Sequence, residues 1–246
     1  MYRKLKVVVL AAGKGTRLQS EGSDVPKVMR LACGKPILWY VLEALPNVDR
    51  QDIIIVVGYG KEQILDYFKG YEFAEQTEQL GTGHAVMAAS EKLSGFDGTV
   101  LVCYGDMPII KSETYERFIS EHFDKGNDCT VVSCETAETK GLGRIVRDSK
   151  GAFVKVVEER DCNSEQLKIT EINTGVYVFN TPMLLDALKQ LKNENGQGEY
   201  YLTDVPEIML DSGAKVGLFK RNLGDEMIGV NTIEQLNRVE EILIKR

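Results

Sequence analysis

The segment Leu10-Ala11-Ala12-Gly13-Lys14-Gly15-Thr16-Arg17, followed by Pro26-Lys27, sets small residues and cations directly behind an apolar run, Lys6 to Ala11. Glycine lets backbone N–H groups come close to an anion, and Arg17 and Lys27 can neutralise phosphate charge. A phosphate site after the first strand is therefore expected, although a glycine-rich surface turn with solvated charges has the same local composition. Two common phosphate motifs do not fit: Leu18 takes the last glycine position of G-x-G-x-x-G, and the Walker A spacing with its Lys-Ser/Thr is missing. Asp106 closely follows a second apolar run, Thr99 to Tyr104, at the sheet edge where open α/β folds collect ligands. An aspartate there serves equally well to cap a turn.

The elements that must position these residues follow from hydrophobic pattern. Short β-rich runs alternate with amphipathic stretches through the first half, the pattern of a parallel sheet with crossover helices. Strands are expected at Lys6 to Ala11, Ile53 to Val57, Thr99 to Tyr104 and Cys129 to Cys134. Helices are expected from Pro36 through Leu42, over Lys61 to Phe68, over Thr82 to Leu93, and from a Ser112 cap through His122. The pattern then changes. Arg144 to Val146 and Phe153 to Val157 flank the turn Asp148-Ser149-Lys150-Gly151 and read as the hairpin of a lobe, not another β-α-β repeat. Thr174 to Phe179 is a further strand, and Thr181-Pro182 starts a helix with a capping residue followed by proline. Asp204 with Glu207, and Thr232 with Gln235, have capping-box spacing, and Asn193 to Gly198 is the best flexible loop.

At 246 residues, with 43% hydrophobic and 27% charged residues, the chain is long enough for one sizeable α/β core. A single domain over residues 1–246 is expected. A net charge of -7 disfavours nucleic acid or an anionic membrane as partner, so any phosphate site must be local. The five cysteines contain no C-x-x-C pair and predict reduced thiols in a cytoplasmic protein. The apolar run after Arg3-Lys4 is interrupted at Gly13 too early for a signal peptide, and no run is long enough to span a membrane.

Several separated motifs then occur in order. They are Gln76-Thr77-Glu78-Gln79-Leu80-Gly81-Thr82-Gly83-His84-Ala85, Tyr104-Gly105-Asp106-Met107-Pro108 and Gly143-Arg144-Ile145-Val146. Val157-Glu158-Glu159, Glu171-Ile172-Asn173-Thr174-Gly175, Gly198-Glu199-Tyr200-Tyr201-Leu202-Thr203-Asp204 and Gly229-Val230-Asn231 continue the series. From Lys6 to about Val239 the sequence resembles the sugar-phosphate nucleotidyltransferases, in particular the pyrophosphorylase half of bacterial bifunctional N-acetylglucosamine-1-phosphate uridyltransferases. It departs at Arg30, where that family has histidine, and in a longer segment Glu21 to Val25. It contains no hexapeptide repeats of the acetyltransferase β-helix that the bifunctional proteins carry.

The resemblance implies an α/β fold of Rossmann-like, GT-A-like type, with a mostly parallel mixed sheet flanked by helices and a smaller β-rich sugar-binding lobe. It implies joining of UTP to a sugar 1-phosphate with release of pyrophosphate, Arg17 and Lys27 being catalytic. Leu10, Ala11, Ala12, Gly13, Gln76, Gly81, Thr82, Tyr104 and Gly105 would bind the nucleotide. Gly143, Glu158, Asn173, Tyr201 and Thr203 would bind the sugar phosphate, with Glu199 as a further candidate. Asp106 and Asn231 would hold Mg2+. Without the motifs, Gln76 reads as an exposed structural glutamine, Glu158 as a solvated strand charge and Asn173 as a turn residue. His84, a histidine without an evident partner, reads as structural. Another triphosphate or acceptor, a non-catalytic nucleotide-sugar sensor and a plain NAD-binding domain are the alternatives, because fold alone does not imply catalysis.

Overall fold

The computed structural model of the protein describes residues 4–15 and 25–246. Arg17 and most of the Glu21 to Val25 segment lie outside the described residues. The first apolar run forms β1 (Leu5–Leu10), and a 3-10 turn at Lys27–Met29 leads into a small hairpin, β2 (Leu31–Ala32) and β3 (Lys35–Pro36). Cys33 and Gly34, both with positive φ, make the hairpin turn, as tight hairpins require. Pro36 therefore ends β3 and stands just outside α1 (Ile37–Ala44), not within its first turn. There follow β4 (Ile53–Val57), α2 (Lys61–Tyr67), β5 (Glu72–Glu75), α3 (Thr82–Ala88) and α4 (Ser90–Leu93). The single helix expected from Thr82 to Leu93 is thus broken at Ala89.

Next come β6 (Thr99–Tyr104), α5 (Ser112–Asp124), β7 (Cys129–Glu135), β8 (Arg144–Arg147) and β9 (Phe153–Val157). The chain finishes with β10 (Glu171–Asn180), α6 (Thr181–Leu188), α7 (Val205–Asp211), β11 (Val216–Lys220) and α8 (Ile233–Ile244). Three expected caps are placed differently. Ser112 is already helical, and the carboxylate of Glu226 accepts from Lys111 N and Thr114 Oγ1 at the start of α5. Asn180, not Thr181, caps α6 by accepting from Met183 N at 3.1 Å. Asp204 has helical backbone angles after a 3-10 turn and caps nothing, whereas the Thr232–Gln235 capping box is formed. The Asn193 to Gly198 loop is tied down by Asn195, whose Oδ1 accepts from Gln197 N and Glu199 N. No helix among the described residues is long and apolar enough to cross a membrane.

Among the described residues one sheet has the order β11-β7-β10-β6-β1-β4-β5, with β8 and β9 attached beside β10. β1 runs parallel to both β4 and β6, β4 to β5, and β11 to β7. β10 alone is inserted antiparallel, between β6 and β7. The continuous apolar runs are explained by burial on both faces. Successive strand residues point to opposite sides. Val8, Ile54 and Val100 pack toward Leu93 and Leu184, while Val7, Ile55 and Leu101 pack toward Leu38 and Phe118. β5 and β11, which the sequence pattern does not announce, are the two edges and are only half-buried.

β10 is the spine that joins the two functional regions. Its last residues pair with β6 and its first with β8, at Ile172 opposite Arg144. The expected hairpin lobe is formed, and β8 attaches it to the main sheet through β10. Register with β7 shifts between Asn173 and Tyr177, and Asn173 Oδ1 and Thr174 Oγ1 accept from the backbone of Gly175 and Val176 at this bulge. Gly175 has φ +79, and a Cβ there would lie 2.0 Å from Tyr104 Cε2. Gly175→Ala combines a left-handed backbone with an aromatic overlap, and we expect it to cost at least about 2 kcal/mol. At about 2–4 °C per kcal/mol, thermal denaturation should show a Tm loss of about 4 °C or more. An unchanged Tm would mean that Tyr104 does not hold this position.

Candidate functional site

The loops after β1 and β6 emerge side by side, because Leu10 is in register with Tyr104 and Gly105 N donates to Leu10 O at 2.9 Å. This is where the strand order reverses, with β4 on one side of β1 and β6 on the other, the crevice in which open α/β sheets take ligands. A cleft of about 390 Å³ opens there, lined by Leu10 to Gly13, by Lys27, by Gln76 after β5, and by Gly81 and Thr82 at the start of α3. Gly15, at φ +63, presses onto the stem of Lys27, since a Cβ there would be 2.5 Å from Lys27 Cβ. The glycine-rich turn and the lysine that the sequence singles out are thus in direct contact.

A second, larger cleft of about 1000 Å³ lies over β10 and the β8–β9 hairpin and includes Gly143, Glu158 and Asn173. The two clefts share three residues, Tyr104, Asp106 and Asn231. Here the ammonium of Lys27 meets Asp106 Oδ2 in a close ion pair and donates to Asn231 Oδ1 at 3.0 Å. Val230 N donates to Asp106 O, which ties the two loops together. Asn231 Nδ2 is turned toward Gly229 O, so its oxygen faces the lysine. Two side-chain oxygens already converge on one cation. That donor set suits Mg2+, which takes few protein oxygens and completes its shell with water and phosphate. No cluster of three or more His, Cys, Asp or Glu that could hold a metal occurs among the described residues.

On the floor of the second cleft, Glu158 accepts a 3.0 Å hydrogen bond from Thr203 Oγ1. Burial, reinforced by Asp161 and Glu199, raises the Glu158 carboxyl above its ordinary value although the Thr203 bond opposes this. Gly143 leaves room for this arrangement, as a Cβ there would be 2.9 Å from Val156 Cγ1. The preceding loop is held by buried Arg144, which donates to the carbonyls of Thr139 and Leu142, and by Glu159, which accepts from Gly141 N at 2.8 Å.

Four expected site residues are placed differently from the reading above. Gly105 does not line the first cleft, because its N–H is taken by Leu10 and its α-carbon faces Leu38. Thr203 and Tyr201 do not line the second; Thr203 acts on Glu158, and Tyr201 is buried with its hydroxyl on Gln197. Glu199 lines the first cleft, not the second. Sequence reasoning missed Gln79, which lines the first cleft and donates to Ala12 O at 2.7 Å, and it set aside His84, which contacts Gln76. Both stand inside the motif that contains Gln76, which was the available signal.

A mostly parallel sheet flanked by helices, with a glycine-containing turn at its switch point, defines an open α/β protein. Residues 6–224 match the nucleotidyl transferase family, and the chain belongs to it. It is 44% identical over 241 residues to the bifunctional protein GlmU of Lactobacillus delbrueckii subsp. bulgaricus and 41% identical over 242 residues to that of Clostridioides difficile. Each match covers 98% of the chain and 52% of the relative, so the chain spans about half the length of the curated relatives it matches. A solved Bacillus anthracis protein, provisionally named a glucose-1-phosphate thymidylyltransferase, superposes with a TM-score of 0.77 at 17% identity, covering 97% of this chain and 95% of that one. That likeness is one of fold. The resemblance drawn from the motifs agrees with these matches.

Burial, with Glu207, Glu158 and Asp161 nearby, pushes the Asp204 carboxyl up from 3.8 to about 6. A raised carboxyl pKa means that the folded chain holds this proton more tightly than the unfolded one. Its contribution to stability is complete below pH 3.8 and is lost as pH rises through 6. Asp204→Asn should therefore raise Tm at pH 7.5 by about 2–4 °C, the effect of about 1 kcal/mol at this size. The gain should vanish below about pH 4. A gain that persists in acid, in a Tm series against pH, would contradict this reading.

Proposed function

We propose that the chain transfers a uridylyl group from UTP to N-acetylglucosamine 1-phosphate, forming UDP-N-acetylglucosamine and pyrophosphate. The observation that carries this reading is the junction of two clefts at Tyr104, Asp106 and Asn231, with the Lys27 ammonium between the two oxygens. A triphosphate in the first cleft and a sugar phosphate in the second would present their reacting groups to each other there, which supplies the proximity that such a transfer needs. Membership of the nucleotidyl transferase family and the likeness to bifunctional GlmU proteins support the same reading.

An oxygen of the acceptor phosphate bonds to the α-phosphorus in line, while the bond from that phosphorus to the pyrophosphate oxygen breaks and its electron pair leaves with pyrophosphate. A phosphate monoester has a second pKa of about 6 and is already largely dianionic at neutral pH, so its oxygen needs no general base. Positioning and charge stabilisation then carry the rate. Lys27 faces the charge that develops between the clefts, and the backbone of Leu10 to Gly13 faces the phosphates, with Arg17 assigned from the sequence. Gln76, Gly81 and Thr82 hold the base. Gly143, Glu158 and Asn173 hold the sugar, Thr203 orienting Glu158. Asp106 and Asn231 would hold Mg2+, which when bound supplies positive charge against phosphate oxygens.

The test is pyrophosphate release with Mg2+ and UTP, comparing N-acetylglucosamine 1-phosphate with glucose 1-phosphate. Release should require the acceptor, favour the N-acetylated sugar and stop with EDTA. Lys27→Ala and Asp106→Ala should each lower kcat by about 10²–10³-fold, the scale of losing one preorganised electrostatic contact. Equal use of both sugars, or better use of deoxythymidine triphosphate, would move the chain to a broader nucleotide-sugar pyrophosphorylase. No release with any pair of substrates would leave a nucleotide-sugar sensor.

A further inference from the structure

Gln76 lines the first cleft from a nearly closed position, only 6% exposed, and its side-chain amide is tied to two neighbours. Nε2 donates to Gly81 O at 3.0 Å and lies 3.2 Å from His84 Nδ1. Gly81 O is a carbonyl and can only accept, so the nitrogen of the amide must face it; the flipped amide would set two oxygens against each other. The second hydrogen of that nitrogen then points at His84 Nδ1, which must carry a lone pair. The contact thus assigns the ring proton of His84 to Nε2. Gly81 is itself held by its place in the chain, with φ +104 and its carbonyl also receiving Ala85 N at 3.1 Å. Both hydrogens of the Gln76 amide are engaged. What remains is Oε1, an acceptor with no partner among the described residues.

We infer that His84 is a positioning residue for base selection: it locks the Gln76 amide so that the cleft presents a hydrogen-bond acceptor, which matches the imide N–H of uracil or thymine and opposes the N3 lone pair of cytosine. The inference rests on the first cleft being the nucleotide side, as proposed above, and it assigns a task to a residue that touches neither base nor phosphate. Without the acceptor at Nδ1 the amide loses one of its two anchors. Its alternative orientation, which offers N–H to the cleft, then becomes accessible.

The experiment measures equilibrium binding of UTP and CTP, with Mg2+ present, by calorimetric titration of the whole chain and two variants. His84→Phe keeps a ring of similar size beside Tyr200 but has no acceptor, whereas His84→Asn returns an oxygen close to the place of Nδ1. Wild type should prefer UTP. His84→Phe should lower the UTP to CTP preference by about tenfold, the worth of about one hydrogen bond, and His84→Asn should keep it within about threefold. Nitrogen-15 NMR of the imidazole should place the proton on Nε2. A preference unchanged in His84→Phe, with both affinities falling together, would reduce His84 to a packing role and overturn the inference, as would a wild type indifferent to the base or a proton found on Nδ1. Selective UTP binding without pyrophosphate release would instead defeat the catalytic proposal and leave this one standing.

Discussion

The ion pair between Lys27 and Asp106, with Asn231 as third member, is the constraint around which the molecule is organised. The lysine comes from the turn after the first strand, the aspartate from the end of β6, and the asparagine from the loop before the last helix. Both charged side chains are only about 15% exposed, so neither charge is fully hydrated and each depends on the other. A lone charge at that depth would carry a desolvation penalty, and removing one partner leaves the other uncompensated. The surrounding contacts have the consistent effect of keeping the three segments in place, from the register of Leu10 with Tyr104 to the bond between Val230 N and Asp106 O.

That arrangement also sets a cation at the meeting point of two clefts in an acidic protein. The net charge of -7 is spread over the chain, and several carboxylates line the second cleft, among them Glu135, Glu138 and Glu158. In the first cleft the turn from Leu10 to Gly13 and the Lys27 ammonium lie together at the switch point of the sheet. The carboxylates on the far side suit hydroxyls and amides, groups that donate hydrogen bonds. Charge is divided between the clefts by chemistry, with the cation at their boundary.

Much of this was legible in the sequence, and the reasons differ by residue. The central strands were readable because both of their faces are buried, which leaves uninterrupted apolar runs. Edges β5 and β11 were not, since half-exposed strands carry mixed residues and lose the signal. Local caps misled because the partner was remote or adjacent: Glu226 serves α5 from over a hundred residues away, and Asn180 displaced Thr181 by one position. Around the clefts, motifs brought forward segments that the fold places together but could not separate residues that face a cleft from those that support them. Thr203 and Tyr201 belong to the second kind, and His84 was set aside because its partner, Gln76, is eight residues away on another element.

The capping box at the start of α8 has a mechanical meaning. Gln235 Oε1 accepts from the backbone N–H groups of both Asn231 and Thr232, and Thr232 Oγ1 accepts from Gln235 N in return. Asn231 is thereby geared to the axis of the last helix, whose Glu240 accepts from Cys33 N on the β2–β3 hairpin. That hairpin follows Lys27 in the chain after only a few residues. The helix thus closes a loop of linkages that begins at the lysine and ends at the asparagine beside it, so a rotation of α8 alters the spacing of Lys27 and Asn231 where the two clefts meet.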